Sequence, residues 1–500
     1  MKPFIDGDGK NKPTMPDLPT LGHLARKSGV RVSEAVTPAG FVGQGRHLLL
    51  GQRRSKGETD ALILLGKCIE HTGMRDLFDS NVWLDINNPH VVFICGKRGS
   101  GKSYDLGIIV EGLSAGRASK VSSTDAPVST IVFDTQSQFW TLIMPPRPDV
   151  GDDMTQLRML EEWGLETQGL TNVELIVPRG DEKIFSDVSD FVLATPEMVA
   201  DDWCGLLRVD RYSPMGQCLR TTFKKVTELG YTHVDSGETV SPTSQYEIAD
   251  LIECLRNDHD LNDQTQRSTR DAVLWRLDGL EDSRLFDLTG LDVQELLKPG
   301  KTSVILMRSL DNATKSLVVG VVAKKIFELM GEYHTKRKIS IRRGEDYKPE
   351  HELPQSVWIV IDEAHVVCPA GEDTAAKGIL TEYVKRGRDA GLSLVMATQQ
   401  PSAVDPALLS QIDLAIVHRL IYESDITAAM ARFPSRISKA VKLGERELND
   451  ASSLIRSLED GVALIGDAET DRGFLIAMRP RLSAHGGGEP ILIEKDAEPS

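Results

Sequence analysis

The stretch "VVFICGKRGSGKSYDLGIIV", residues 91–110, decides the fold class of this chain. It opens with an apolar run, continues as a glycine-rich segment that fits G-x-x-x-x-G-K-[ST], and then becomes an apolar stretch of helical character. A strand, a glycine-rich loop and a helix in this order are the context that a phosphate-binding loop requires. The backbone N–H groups of such a loop converge on phosphates at the positive end of the helix. The sequence therefore predicts a nucleotide site here.

Nine residues of this stretch are candidate ligands of ATP. They are Gly96, Lys97, Arg98, Gly99, Ser100, Gly101, Lys102, Ser103 and Tyr104. We expect Lys102 to reach the β- and γ-phosphates and Ser103 to ligate Mg²⁺. Lys97 and Arg98 are unusual in such a loop. They could lean toward a neighbouring subunit, and exposure to solvent is the simpler interpretation.

A second predicted strand ends in two carboxylates. In "VWIVIDE", residues 357–363, Asp362 stands where the Mg²⁺ shell would be held, and Glu363 can polarise an attacking water as general base. A pair of helix-capping side chains is the alternative, which the glycine-rich loop disfavours. Lys102 and Asp362 lie 362 − 102 = 260 positions apart, far too many for adjacent strands. This spacing also argues against the helicases named for the letters D-E-A-H, so His365 is not diagnostic.

Short apolar and β-branched runs recur along the chain and are separated by helical patterns. The runs are residues 91–95, 129–134, 173–178, 302–307, 357–362, 392–398 and 414–420. Runs that are apolar on both faces are expected of central parallel strands covered by helices. The pattern therefore predicts an α/β fold with a doubly wound, mostly parallel sheet.

Changes in the pattern of apolar and polar residues divide the chain into five predicted parts. They are an N-terminal region (1–85), a first part of the ATPase core (86–195), a helical insertion (196–300), a second part of the core (301–482) and a C-terminal tail (483–500). Within the N-terminal region we expect a flexible tail at 1–20 and a helix over "ALILLGKCIEHTGM", residues 61–74. Residues 335–354 are expected to form a charged loop, in which a run of five basic residues between Lys336 and Arg343 could touch phosphate or simply face solvent.

Composition excludes several classes of protein. The net charge of −16 rules out a uniformly basic nucleic-acid coat, although an acidic ring can keep a basic lining. The six cysteines form no C-x-x-C pair, which argues against a zinc or redox motif. No apolar stretch approaches the ~18 residues of a spanning helix, and the N-terminus has no signal-peptide core. We therefore expect a cytoplasmic chain with no membrane segment.

Two further elements bear on the ATP site. "LSLVMATQQP" ends in Gln399 and Gln400, and a polar side chain at such a strand tip can sense the γ-phosphate or orient water. The preceding "LTEYVKRGRDAG" carries Lys385, Arg386 and Arg388. An arginine presented from this segment could stabilise transition-state charge on the ATP of a neighbour. Alternatively, these cations complement the C-terminal end of a helix.

Together these motifs resemble the HerA branch of the HerA/FtsK family of ring-forming ATPases. The resemblance covers roughly residues 86–490 and is most specific in "GRDAGLSLVMATQQPSAVDPALLSQ". It implies a RecA-like P-loop ATPase core, a homohexamer with ATP and Mg²⁺ between subunits, and translocation of DNA through a central pore. On the family pattern Arg388 is the arginine acting in trans, Gln399 is the sensor, and Asp362 and Glu363 are the Walker-B pair.

The sequence departs from this family at three places. Gln138 stands where an acidic residue is usual, with Asp134 kept, and Gln400 stands where arginine is common. The N-terminal β-barrel is not evident, because residues 1–85 look helical, with a short helical segment after the tail. These departures favour bacterial HerA-like proteins that resemble partners of effector enzymes in phage defence.

Two functions remain open from the sequence. The first is a hexameric translocase or helicase on double-stranded DNA that works with a separate nuclease or other effector. Its candidate pore residues are Lys336 to Arg343, with Arg53, Arg54 and Lys56. The second is a ring scaffold whose ATP turnover assembles or activates a nuclease or NAD-degrading partner docked on residues 1–85. A secretion or conjugation motor is disfavoured, because such relatives usually carry membrane spans.

Overall fold

The computed structural model describes most of the chain between His47 and Gly487. The described residues are 47–51, 61–69, 78–125, 128–150, 153–281, 283–347, 349, 351–433, 450–468 and 472–487, with the backbone of short strands at 4–5, 11–12, 30–32, 43–44, 441–443 and 446–448. The tail predicted at 1–20 lies outside the described residues apart from two of these short strands. Most of the C-terminal tail predicted at 483–500 also lies outside them.

A 14-stranded sheet forms the centre of the molecule. Its strands are β1 (Gly43–Gln44), β2 (His47–Leu50), β3 (Leu62–Cys68), β4 (Asn81–Asp85), β5 (Val91–Cys95), β6 (Ser129–Asp134), β7 (Val173–Pro178), β8 (Ser189–Phe191), β9 (Thr302–Leu306), β10 (Val357–Ile361), β11 (Leu392–Thr398), β12 (Leu414–Val417), β13 (Val462–Asp467) and β14 (Arg472–Met478).

The order of the strands confirms the predicted mostly parallel core. Across the sheet they run β8-β7-β9-β6-β10-β11-β5-β12-β13-β14-β3-β4-β2-β1. Every neighbouring pair from β8 to β12 is parallel, and this part contains all seven strands predicted from the apolar runs. β11 lies between β5 and β10, so the strand before the glycine-rich loop and the strand before Asp362 are not adjacent, as their spacing predicted.

Both faces of this sheet are buried, which explains why its strands are apolar throughout. Side chains alternate along each strand, so Phe93 faces one hydrophobic core while Val92 and Ile94 face the other. The same alternation separates Ile359 from Val360 in β10. Helices cover the two faces, as expected of a parallel sheet.

The helices follow the strands in the order expected of an α/β chain. They are α1 (Lys102–Ser114), α2 (Asp153–Trp163), α3 (Ala200–Leu206), α4 (Pro214–Lys224), α5 (Ile248–Asn257), α6 (His259–Gln264), α7 (Arg267–Glu281), α8 (Val293–Leu296), α9 (Asn312–Arg343), α10 (Ala364–Val367), α11 (Ala375–Arg386), α12 (Glu423–Ala431) and α13 (Ala451–Ser457). Helices α3 to α8 occupy the part predicted as a helical insertion, while the division into domains stays a prediction. Among the described helices, none combines the length and hydropathy needed to cross a membrane.

We expected a loop over residues 335–354, and this prediction is wrong for the first part of the segment. Its first part, up to Arg343, completes the 32-residue helix α9. Asp311 caps the start of this helix by accepting a hydrogen bond from Thr314 N, and Gly344 ends it with a φ of 71°. The prediction relied on the density of charged residues, which are as common on an exposed helix surface as in a loop.

The helix predicted over residues 61–74 is wrong where the structure describes it. Residues 62–68 form β3, and all seven of its residues are buried. β3 pairs antiparallel with β14 and with β4, so it is covered on both faces and both edges. A continuous apolar run does not distinguish a buried helix from a fully buried strand. The described part of the N-terminal region therefore extends the central sheet.

Candidate functional site

The predicted ATP-site residues meet at one edge of the sheet because the strands that carry them are in register. Cys95 pairs with Thr398, and Ile361 pairs with Met396. The segments that follow β5, β10 and β11 therefore emerge side by side at the carboxyl edge of the sheet. This is where ligands bind in open α/β sheets.

The glycine-rich loop turns sharply from β5 into α1. Gly99 and Gly101 have φ values of 74° and 114°, which side-chain-bearing residues rarely adopt. A Cβ atom at Gly96 would collide with the Ser100 hydroxyl, which donates to Lys97 O at 2.8 Å. Gly101 directly precedes α1, so the free N–H groups of that helix face the loop. The backbone is thus shaped to receive an anion.

Lys102 points back into the loop. Its side chain is almost wholly buried, and Nζ donates to Lys97 O at 3.0 Å. Burial lowers the pKa of Lys102, while the negative charges of Glu363 and Asp362 oppose this change. The ammonium group therefore lies in the field of both Walker-B carboxylates, where a phosphate would compete with the carbonyl for it.

The Asp362 carboxylate is buried, and neither of its oxygens has a hydrogen-bond partner among the described residues. Burial raises the pKa of Asp362 to about 8, and the charges of Glu363 and Asp134 add to this shift. A buried carboxylate without partners is costly unless a cation or proton compensates it. These oxygens fit Mg²⁺, which would be held by Asp362 and the Ser103 hydroxyl and would neutralise phosphate charge.

Glu363 is held by two neighbours. Gln399 donates to it from both the side-chain Nε2 and the backbone N, and His365 Nδ1 lies 3.3 Å from Glu363 Oε2. Burial alone would raise the pKa of Glu363, but hydrogen bonds from His365 and Gln399 outweigh it and lower the pKa. The residue has a φ of 55°, a left-handed conformation that is uncommon outside glycine. The structure thus keeps an ionised carboxylate oriented at the predicted site.

Asp134 has a supporting role that the sequence did not reveal. Its buried carboxylate, at the end of β6, accepts hydrogen bonds from Phe139 N at 2.7 Å and Gln136 N at 3.2 Å. Burial raises the pKa of Asp134 to about 6, and these backbone hydrogen bonds oppose the rise. Asp134 therefore shapes the turn that carries Gln138 and adds negative charge beside Asp362.

Comparison with known proteins places the chain in a family. Residues 65–326, just over half of the chain, match the family model described as "Helicase HerA, central domain". The chain belongs to this HerA family. The HerA helicase of Sulfurisphaera tokodaii, described as acting in DNA double-strand break repair, is 26% identical over 231 residues, which cover 46% of this chain and 44% of that protein. The Pyrococcus furiosus HerA helicase is 28% identical over 151 residues, covering 28% of this chain and 27% of that protein.

The similarity to these HerA proteins is partial in length. The chain spans less than half the length of either curated relative. Among solved structures, VirB4 of Thermoanaerobacter pseudethanolicus aligns with a TM-score of 0.46 and 15% identity, covering 83% of this chain and 96% of that chain. The plasmid coupling protein TrwB in complex with ADP and Mg²⁺ aligns with a TM-score of 0.46 and 14% identity, covering 79% and 86%.

Arg388 lies far from the ATP site of its own chain. It belongs to a short 3₁₀ helix, Gly387–Ala390, which precedes β11, whereas the ATP site follows that strand. The seven residues of β11 span about 20 Å at roughly 3.3 Å per residue. Arg388 is exposed, and its side chain makes no ion pair or hydrogen bond within the described ranges. Its predicted role in this HerA-family chain would therefore require the ATP of another copy.

Tyr104 contacts a segment that follows β14, far along the chain from the glycine-rich loop. Its hydroxyl accepts a hydrogen bond from Arg481 N at 2.8 Å, and its ring packs edge-on against His485 at 5.3 Å. In the same segment Arg479 is fully buried and binds Glu111 of α1 at 2.8 Å. The C-terminal segment is thus fastened to the helix that follows the loop. The expected contact between Tyr104 and nucleotide stays a prediction.

His418 packs against the glycine-rich loop, and the sequence analysis did not identify it. Its Nε2 lies 2.7 Å from Asp105 Oδ2 and its Nδ1 lies 3.1 Å from Val462 O. Both ring nitrogens therefore lie within hydrogen-bond distance of an oxygen atom. Cβ atoms at Gly96 and Gly101 would meet this side chain at 2.7 and 3.4 Å. More than 300 residues separate His418 from Asp105, so no local motif could have revealed the pair.

The structure locates only some of the predicted pore residues. Lys336 to Arg343 lie on the last turns of α9. Arg53, Arg54 and Lys56 fall outside the described residues. Arg98 is exposed, in line with the simpler interpretation of the loop, whereas Lys97 is half-buried.

Proposed function

We propose that the chain is a cytoplasmic, ring-forming ATPase, most simply a homohexamer, that hydrolyses ATP with Mg²⁺ to translocate on or unwind double-stranded DNA. It works with a separate nuclease or another effector protein. The HerA helicases that it resembles support DNA as the substrate. An ATP-regulated scaffold that activates a nuclease or NAD-degrading enzyme in phage defence is the alternative that the experiment below distinguishes.

The observation that carries the proposal is the pair of buried carboxylates facing Lys102. Asp362 has two unpartnered oxygens suited to a hard cation, and Glu363 is kept ionised by Gln399 and His365. An ionised, oriented carboxylate beside a phosphate-binding loop can accept a proton from the attacking water. Gln399 contacts Glu363 directly, so a change at the γ-phosphate that moves Gln399 would release or reorient the base.

The position of Arg388 supports the proposed assembly into a ring. The chain has a complete set of phosphate-binding and base residues but places this arginine at the opposite edge of the sheet. A head-to-tail contact between copies would bring the arginine of one to the ATP of the next, and such contacts form a ring when the rotation between copies closes. Stabilisation of transition-state charge by an arginine in trans is worth roughly 10³–10⁵ in rate in other phosphoryl-transfer enzymes.

The test is ATPase activity with and without double-stranded DNA, with Glu363→Gln as the inactive control. Strong stimulation by DNA alone supports translocation. Turnover that ignores DNA and rises only with a copurifying protein would contradict the translocase proposal and favour the scaffold. The control variant must still bind nucleotide, since Glu363 contributes no contact to the glycine-rich loop.

A further inference from the structure

His365 lies between the Walker-B carboxylate of Glu363 and the tip of a neighbouring strand. It belongs to the short helix α10, and its Nδ1 lies 3.3 Å from Glu363 Oε2. The same nitrogen lies 3.0 Å from the hydroxyl oxygen of Thr398, the last residue of β11. A rotation of the ring would therefore change its contact with the base and its contact with the strand together.

Packing alone does not fix the orientation of the His365 ring. The side chain is 23% exposed and lines a cleft of about 750 Å³ between α3, the start of α9 and residues 365–378. Among the described residues, Nε2 of the ring has no hydrogen-bond partner. A side chain beside open space keeps rotamers that a close-packed interior would exclude. The orientation of this ring therefore depends on the two contacts of its Nδ1.

Thr398 is the rigid member of these two contacts. It is fully buried, and its backbone pairs with Cys95 of β5. Its hydroxyl also accepts a hydrogen bond from Gln400 N at 3.0 Å, and a β-branched side chain has few rotamers. A hydroxyl both donates and accepts, so Thr398 can hold Nδ1 in either tautomer of His365. The strand tip is thus a fixed point for the ring.

The tip of β11 reaches the base by two routes. Gln399 donates to Glu363 directly, from its backbone N and from its side chain. Thr398 reaches Glu363 only through His365. Both routes meet at Glu363 Oε2, which lies 3.2 Å from Gln399 N and 3.3 Å from His365 Nδ1. Loss of the second route would leave this oxygen held from one side.

We propose that Thr398 and His365 act together as positioning residues for Glu363: the hydroxyl fixes the ring, and the ring fixes the carboxylate. This inference rests on the ATPase activity proposed above. Among the described residues, neither side chain hydrogen-bonds to the glycine-rich loop, so the pair acts on the rate of hydrolysis and not on nucleotide binding. A reacting group displaced by about 1 Å can lose roughly 100-fold in rate, which makes such support effective.

Thr398→Val tests the first step, because it removes the hydroxyl and keeps the size and branching of the side chain. At saturating ATP its kcat should fall by about tenfold, with KM and the affinity for ADP within about twofold of the natural chain. Thr398→Ser keeps the hydroxyl and should retain most of the rate. The matched control is Ser393→Ala, which removes another buried hydroxyl from β11. Ser393 accepts from His90 N at 3.1 Å at the far end of the strand, so its loss should leave kcat unchanged.

His365→Ala tests whether the two side chains act as one unit. This substitution faces the cleft, leaves β11 intact and should lower kcat by a similar factor. The double variant should then be no slower than the slower single variant, whereas independent effects would multiply. An unchanged kcat in either single variant, multiplied losses in the double variant, or a loss of ADP affinity along with the rate would overturn the proposal. A natural chain without ATPase activity would instead contradict the proposed function itself.

Discussion

Replacing Asp362 by asparagine should remove a pH-dependent loss of stability. The pKa of Asp362 is raised from 3.8 to about 8 in the folded chain, chiefly by burial. Between these values the folded state keeps a proton that the unfolded state has lost. Stability therefore falls as pH rises through this window, by up to about 1.4 kcal/mol per pH unit, and levels off above the folded-state pKa. At pH 7 the accumulated loss is roughly 4 kcal/mol.

The assay is urea unfolding of the natural chain and of Asp362→Asn at pH 5, 6, 7 and 8, with chelator and without nucleotide. Asparagine does not titrate, so the difference in unfolding free energy between the two proteins should shift in favour of the variant by about 1 kcal/mol per pH unit. The comparison across pH cancels the fixed cost of burying an amide. The variant should also lose ATPase activity, because its side chain offers a weaker ligand to Mg²⁺.

Glu363→Gln is the control, since it changes the adjacent carboxylate. The pKa of Glu363 is lowered, so this group is ionised in both states over the same pH range and contributes no slope. Most of the slope should survive in this variant, because the burial of Asp362 is unchanged. Parallel stability profiles for the natural chain and Asp362→Asn would refute the idea that Asp362 is an uncompensated buried carboxylate.

Three other substitutions have expected outcomes. Glu111→Gln should lower the unfolding free energy by about 3–5 kcal/mol in urea titrations, because it leaves the buried guanidinium of Arg479 without a counter-charge. Gln399→Ala removes a hydrogen bond that lowers the pKa of Glu363, so the acidic limb of the ATPase pH profile should move to higher pH; an unchanged limb would count against Glu363 as the base. His418→Ala should weaken ADP binding in calorimetry by about tenfold, because the support beneath the loop is lost, whereas equal affinity would contradict that role.

The central parallel strands and the ATP site could be predicted from the sequence because each is encoded locally. A strand covered on both faces must be apolar throughout, as in residues 91–95. The glycine-rich loop needs its φ angles and its lysine at fixed offsets. The position of Gln399 near Glu363 could be predicted because its strand adjoins the strand that ends before Asp362, while its role stays a prediction.

The errors and omissions arise where distant parts of the chain decide the outcome. Residues 62–68 form a strand only because β14 and β4 pair with them, and nothing in "LILLGKC" distinguishes that from a buried helix. The contact of His418 with Asp105 and the ion pair of Arg479 with Glu111 each join residues more than 300 positions apart. Such contacts have no periodicity or motif, and only the folded arrangement shows them.

The central claim is that catalysis is shared between copies of the chain, and mixed assemblies test it most directly. Lys102→Ala and Arg388→Ala subunits should each be inactive alone. In an equal mixture, an interface is complete when an intact loop meets an intact arginine, which occurs at about a quarter of interfaces if subunits assort at random. We predict that ATPase activity recovers to roughly that fraction of the natural level. No recovery at any mixing ratio, with assembly verified by native mass, would contradict the account.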